Sequence, residues 1–449
     1  MDTSTIFKAY DIRGTYPDQL DKRVAEAVGS AFGVFVKSPQ IVIARDMRTS
    51  GETLSSAFAK GARAVGVEVV DLGLASTDFL YFATGYLGVP GAMFTASHNP
   101  AQYNGIKLTL AGAKPIGGES GLVEIEEMTN QFYDAPAQGA LAAYSRLDLT
   151  KEWVEHVRSF VDVTSFRPLK IVADTANGMG GFVAPLVFAG TPFDLEILYG
   201  DLDGTFPNHP ADPLNPENLK DLQRRVLESG ADVGLAFDGD ADRVFLIDEK
   251  AQPVSGSTTT AMVASVMLRR HPGATVLYNL ICSKAVPEVI AEEGGVGVRT
   301  RVGHSFIKQT MAETGAVFGG EHSGHYYYRD NYRADSGIIT AFIVLELMSN
   351  SDLPLSEIAR PFQRYADSGE INTQVRDPKR TVERARAKLE AEGVAVDQLD
   401  GLTADYGTWW FNLRPSNTEP LLRLNVEAKD DESLRQHVGE VLALLKELD

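Results

Sequence analysis

The chain has 449 residues, 44% of them apolar and 23% charged, and a formal net charge of -19. That length exceeds one ordinary core, so three or four domains of ~100–150 residues are predicted. The acidity argues against a nucleic-acid binder, which needs a basic face, but it allows anionic small substrates if the few cations gather at one site. The single cysteine, Cys282, rules out an intrachain disulfide and fits a reducing, cytoplasmic setting. No signal peptide is expected from Met1 to Lys8, and no apolar stretch approaches the ~20 residues that cross a bilayer, so no membrane partner is expected.

Along the chain, a short apolar run repeatedly ends in a small or polar loop before a helix-like segment. Ile41–Ala44 leads through Arg45–Gly51 to Glu52–Val65. Ile171–Ala173 leads through Asp174–Gly178 to a segment ending at Ala189. Thr275–Tyr278 leads through Asn279–Ser283 to Lys284–Glu292. Strands alternating with helices predict parallel α/β sheets. Ala135–Ala143 is small and polar and precedes an amphipathic helix near Leu149–Phe160. Lys250–Ser257 is a turn, and Asp367–Gly369 precedes the alternating run Glu370–Val375. The remainder reads strand, helix (Thr381–Glu392), strand, loop, strand, helix. The predicted domains are 1–145, 146–252 and 253–367, all α/β, and 368–449, a smaller α+β domain.

Four loops carry chemistry. Thr95-Ala-Ser-His-Asn-Pro100 follows the apolar run Gly91–Phe94, and its Asn-Pro forces a turn that sets Ser97 and His98 on an exposed loop at a strand end. The plain alternative is a polar turn, and the spacing is not that of a hydrolase nucleophile elbow. Asp238-Gly-Asp-Ala-Asp-Arg243 follows another apolar run, and three carboxylates at alternate positions can converge on one hard cation, magnesium being the best fit. An EF-hand is excluded because Arg243 stands where that loop needs glycine. A haloacid-dehalogenase-type phosphatase fails because Asp242 occupies the Thr/Val position. Gly319-Gly-Glu-His-Ser-Gly-His325 offers backbone approach and acceptors for sugar hydroxyls. Arg414-Pro-Ser-Asn-Thr-Glu-Pro420 joins two strands and offers donors for a phosphate dianion. Each of these is also compatible with an ordinary polar turn.

With Lys8-Ala-Tyr-Asp-Ile-Arg-Gly14 these motifs run in the order seen in the α-D-phosphohexomutase family, and the chain resembles its bacterial phosphomannomutase/phosphoglucomutase branch from end to end. The resemblance implies three related α/β domains with mixed sheets and a smaller, mobile C-terminal domain around a central cleft. It implies that Ser97 carries the transferable phosphate and that Asp238, Asp240 and Asp242 hold Mg2+ together with Ser97. Arg243, His98, Lys107 and His304 would serve catalysis. Tyr10 and Arg13 would face the substrate, Glu321, Ser323 and His325 the sugar, and Arg414, Ser416, Asn417 and Thr418 the non-reacting phosphate.

The activity so implied interconverts hexose 1- and 6-phosphates of mannose or glucose, with hexose 1,6-bisphosphate as intermediate and activator. Relatives often place a basic residue where this chain has Ile281, and Lys284 or Arg301 is a substitute to consider. The rival activities are a phosphoglucosamine-type mutase, a sugar phosphatase or phosphotransferase, and a sugar-phosphate-binding protein without catalysis. No nucleotide-binding G-x-x-x-x-G-K-[ST] loop supports an ATP-dependent transferase.

Overall fold

The computed structural model describes residues 3–415 and 421–449. The chain divides into two compact units. The first runs to Ser255 and adds Gly303–Phe318 and Ser323–Ile358; the second comprises Gly256–Val302, Gly319–His322 and the chain from Ala359 onward.

The first unit contains two mixed sheets. In one, the strands run in the order Ile12–Thr15, Tyr103–Leu110, Gly91–Phe94, Gln40–Arg45, Glu68–Leu74, Tyr144–Arg146. The four strands from Gly91–Phe94 onward in that order are mutually parallel, whereas Tyr103–Leu110 is antiparallel to both its neighbours. Gly91–Phe94 is a buried inner strand, so its C-terminal end delivers the chain into Thr95-Ala-Ser-His at the middle of the sheet. Helices Lys22–Val36 and Gly51–Ala64 cover this sheet. Their backbones touch at Gly61, where a Cβ would come within 1.9 Å of the Glu26 carbonyl oxygen. Phe32, Phe58 and Phe94 fill the core beneath them.

The other sheet has the order Pro253–Val254, Val244–Asp248, Val233–Phe237, Lys170–Asp174, Asp194–Leu198. Val233–Phe237 is buried at every position and runs parallel to Lys170–Asp174, while Val244–Asp248 returns antiparallel with Phe237 opposite Val244. Asp238–Arg243 is therefore a hairpin loop, anchored at both ends by sheet hydrogen bonds.

In the second unit, Thr275–Asn279 and Val296–Thr300 pair in parallel. Its C-terminal part is an antiparallel sheet ordered Ala366–Asp367, Leu421–Ala428, Trp409–Pro415, Leu402–Asp405, Ala395–Asp397, with Ile371–Gln374 also on Leu421–Ala428. Helices Pro378–Ala391 and Asp431–Leu448 pack their apolar stripes on it. The structure adds two short strands that the sequence reading did not name, Ala395–Asp397 and Leu402–Asp405. Three or four residues with aspartates among them carry too little alternation to register as strands. No helix among the described residues is long and apolar enough to cross a membrane.

Candidate active site

Ser97 sits in the turn after Gly91–Phe94 with φ of +49°, a left-handed conformation that a side chain disfavours. Its N–H donates to Thr95 Oγ1 at 2.9 Å, which helps hold the turn. The sequence reading of an exposed loop is corrected here, because Ser97 is only 3% exposed. The cause is the hairpin loop Asp238–Arg243, which lies against it. Gly239 makes this approach possible, since a Cβ there would stand 2.4 Å from the Ser97 carbonyl oxygen.

The Ser97 hydroxyl donates to Asp238 Oδ2 at 2.7 Å. Arg243 Nη2 reaches Ser97 Oγ at 3.2 Å, and its Nε donates to Asp238 Oδ2 at 3.1 Å. His98 Nδ1 is 3.2 Å from Ser97 Oγ and also contacts Arg243 Nη2. Lys107, from Tyr103–Leu110, bridges Asp240 Oδ2 at 2.8 Å and Asp242 Oδ2 at 2.7 Å. Thr77 donates from its hydroxyl to Asp240 Oδ2 at 2.5 Å.

One carboxylate oxygen from each of Asp238, Asp240 and Asp242 lies within 4.8 Å of the others, and Oδ1 of Asp240 and of Asp242 is buried without a hydrogen-bond partner. Buried acceptors cost free energy when left unpaired. Three oxygen donors with unspent lone pairs suit a hard divalent cation such as Mg2+, so the residues fit the metal that the motif implies.

Charge sets the protonation of the surrounding groups. The Arg243 guanidinium, then burial, hold His98 well below the usual imidazole range. Burial, then Lys308, push His304 down to about 3. Burial would lower the Lys107 ammonium, but Asp240 and Asp242 overcome it and hold Lys107 well above its usual range. Positive neighbours and burial thus disfavour the imidazolium form of both histidines, while the two aspartates favour the ammonium form of Lys107.

His325 lies in the same unit, its Nε2 3.7 Å from Asp242 Oδ1 and 3.9 Å from Asp335 Oδ2, and its Nδ1 3.2 Å from Ser323 Oγ. Tyr10 packs edge-on to His304 with ring centroids 5.5 Å apart. Arg13 contacts Asp11 and Asn99 and so borders the serine turn. The first unit therefore brings together Ser97, His98, Lys107, Asp238, Asp240, Asp242, Arg243, Ser323 and His325, with Tyr10, Arg13 and His304 in the same body.

The remaining residues belong to the second unit. Glu321 is buried and accepts from Asn279 Nδ2 at 3.1 Å. The neighbouring His322 turns toward Ser257 Oγ, 2.9 Å from its Nδ1. Arg414 ends the strand Trp409–Pro415 beside Glu370 at 3.4 Å and Asp400 at 3.7 Å. Ser416, Asn417 and Thr418 lie outside the described residues. Lys284, one of the two substitutes considered for the cation missing at Ile281, also belongs to the second unit. Its ammonium is taken by Asp405 Oδ1 at 2.7 Å and the Gly407 carbonyl at 2.9 Å.

Sequence reasoning passed over Arg48, Thr77, Lys308 and Asp335, all buried in the first unit. Lys308 stands one helical turn beyond His304 in His304–Thr314, the one local signal that it shares a face with a site residue.

Phosphoglucomutase/phosphomannomutase alpha/beta/alpha domains I, II and III match residues 4–134, 151–252 and 255–365, and the C-terminal domain of the same family matches 370–444. Phosphomannomutases of Salmonella montevideo and Escherichia coli K12 are each 39% identical, over 99% of this chain and 100% and 99% of theirs. A phosphoglucomutase/phosphomannomutase family protein of Burkholderia thailandensis superposes with a TM-score of 0.90 at 33% identity, covering 100% of this chain and 98% of that one. An N-acetylphosphoglucosamine mutase of Aspergillus fumigatus, solved with GlcNAc-6P and magnesium, shares the fold alone. Its TM-score is 0.64 at 13% identity, over 98% of this chain and 95% of that one.

Fold and relatives together define an isomerase of the phosphohexomutase class. The chain belongs to the phosphoglucomutase/phosphomannomutase family.

Proposed function

We propose that the chain interconverts hexose 1-phosphate and hexose 6-phosphate, of mannose and glucose, through a phosphorylated Ser97 and a hexose 1,6-bisphosphate. The observation that carries this reading is the Ser97 hydroxyl 2.7 Å from Asp238, inside a three-carboxylate cluster flanked by Arg243 and Lys107.

Asp238, Asp240 and Asp242 would hold Mg2+ with Ser97 or its phosphate. The ion's chemistry when bound is to neutralise charge on the phosphoryl oxygens. The chain's own residues do the rest. Arg243 and Lys107 lend positive charge to the transferring group. The P–O bond to Ser97 breaks as a bond to the sugar hydroxyl forms, and a nearby base, His98, His304 or Lys107, takes the hydroxyl proton. The bisphosphate turns around, and its other phosphate returns to Ser97. Free hexose 1,6-bisphosphate would reload an enzyme that has lost its phosphate, and so act as activator.

By motif order, Glu321 and Ser323 would hold the 3- and 4-hydroxyls that mannose and glucose share, with His325 nearby. Tyr10 and Arg13 would face the substrate, and Arg414 with Ser416, Asn417 and Thr418 would bind the idle phosphate. A site that grips the shared hydroxyls discriminates weakly at C2, by no more than ~10²-fold. We place the enzyme in the cytoplasm, supported by its single buried, unpaired cysteine. The domain division 1–145, 146–252, 253–367 and 368–449 belongs to the same proposal.

The test is a coupled assay on mannose 1-phosphate, glucose 1-phosphate and glucosamine 1-phosphate with catalytic hexose bisphosphate. Turnover of the first two is expected. Turnover of glucosamine 1-phosphate alone would replace this reading with a phosphoglucosamine-type mutase, and release of free phosphate with a phosphatase.

A further inference from the structure

Arg48 lies in the loop between Gln40–Arg45 and Gly51–Ala64, and its side chain is entirely out of water. Its Nη2 donates to the carbonyl oxygens of Ser97 at 2.8 Å and Asn99 at 2.6 Å. Its Nη1 donates to those of Pro100 at 2.9 Å and Tyr103 at 2.8 Å. Nε faces Asp46 Oδ2 at 3.3 Å, and Asp46 Oδ1 accepts the Arg48 backbone N–H at 2.9 Å. The ring of Phe206 covers the guanidinium, 5.2 Å from its centroid.

These four carbonyls span the whole turn that carries the serine, and the first is the serine's own. That oxygen is pinned on one side by Arg48 and on the other by Gly239 of the carboxylate loop. The left-handed backbone of Ser97 is disfavoured for a residue with a side chain and persists only where its surroundings over-determine it. Arg48 supplies that constraint through a planar fork of donors in fixed directions, which no other side chain offers. Phe206 adds a second link, because it comes from the segment before the carboxylate loop's own sheet strands.

We infer that Arg48 is a positioning residue for phosphoryl transfer: it sets the direction of Ser97 Oγ relative to Asp238 and Arg243 without touching the sugar. The inference rests on Ser97 being the phosphoryl carrier. Displacement of a reacting atom by about 1 Å can cost ~10²-fold in rate, so loosening this turn acts on the transfer step and leaves sugar binding alone.

The experiment loads unaltered enzyme, Arg48→Lys and Arg48→Ala with labelled phosphate from glucose 1,6-bisphosphate, maps the label, and follows single-turnover transfer to glucose 1-phosphate by rapid quench. Arg48→Lys keeps the charge but cannot span four carbonyls. It is expected to transfer on the order of 10²-fold more slowly, with KM changed by no more than about threefold. Added guanidinium is expected to restore part of the rate in Arg48→Ala. If Arg48→Ala does not fold, Arg48→Lys alone decides. Native transfer by Arg48→Lys, or a loss confined to KM, would overturn the inference while label on Ser97 leaves the carrier assignment standing. Label on another residue of the unaltered enzyme would remove both.

Discussion

Lys308 and Asp335 face each other 3.2 Å apart with side chains only 2% and 3% exposed. The lysine's ammonium also lies 3.6 Å over the ring of Tyr81, a cation–π contact in a dry setting. The pair ends a run of polar neighbours: Lys107, Asp242, His325, Asp335, Lys308. Burial would raise the Asp335 carboxyl, yet the charge of Lys308 above all brings it down to about 2.

Removal of either partner leaves the other charge buried and unpaired. Lys308→Met and Asp335→Asn are each expected to destabilise the fold by about 3–5 kcal/mol, and the double variant by less than their sum. Urea denaturation measures this. Strictly additive losses would mean that the two charges do not act as a pair.

Ser97→Ala is expected to abolish covalent phosphate and most turnover while changing stability by no more than about 1 kcal/mol, because the hydroxyl's neighbours remain. Intact mass after incubation with glucose 1,6-bisphosphate reads the first, and a thermal melt the second. A variant that still gains phosphate places the carrier elsewhere.

Chelation is expected to stop turnover, and Mg2+ to restore it. Calorimetry should find one Mg2+ per chain and none tight in Asp242→Asn, and Mg2+ should raise the melting temperature by binding only the folded cluster. Full activity after exhaustive chelation would contradict a metal at the three aspartates.

Asp78 predicts a pH dependence of stability. It is buried at the N-terminus of helix Thr77–Leu87, accepts from Ser336 Oγ at 2.6 Å and contacts Ser76 Oγ. Burial pushes its carboxyl from 3.8 up to about 7, although both serines pull it down. The folded state then binds a proton that the unfolded chain has lost, so this contribution is full below about pH 4 and declines as pH rises toward 7. Asp78→Asn, which cannot ionise, is expected to flatten the fall in melting temperature between pH 4 and 7. An unchanged slope would assign that fall to other groups.

The loops were legible because their signals are local. An apolar run ending at Phe94 followed by Asn-Pro, and another ending at Phe237 followed by alternating aspartates, fix strand ends and turns within a few residues. The burial of Ser97 was not legible, because what covers it arrives from 142 residues further on, at Gly239. Thr77 meets Asp240 across a separation of 163 residues, and Arg48 meets Ser97 across 49. Nothing in the local pattern of either residue distinguishes it from a surface polar group. Nor could the sequence show that Lys284 pairs with Asp405, 121 residues away.

The depth of Ser97 has a consequence for how this protein can be regulated. A protein kinase or phosphatase works on a segment that can be drawn out and laid along its own cleft. Ser97 has 3% of its surface open, its carbonyl oxygen is held by Arg48, and its turn is fastened at three further carbonyls. A second protein would have to break these hydrogen bonds to draw the turn out. On the proposed mechanism, phosphate on this serine would then exchange with a small molecule rather than with a signalling enzyme.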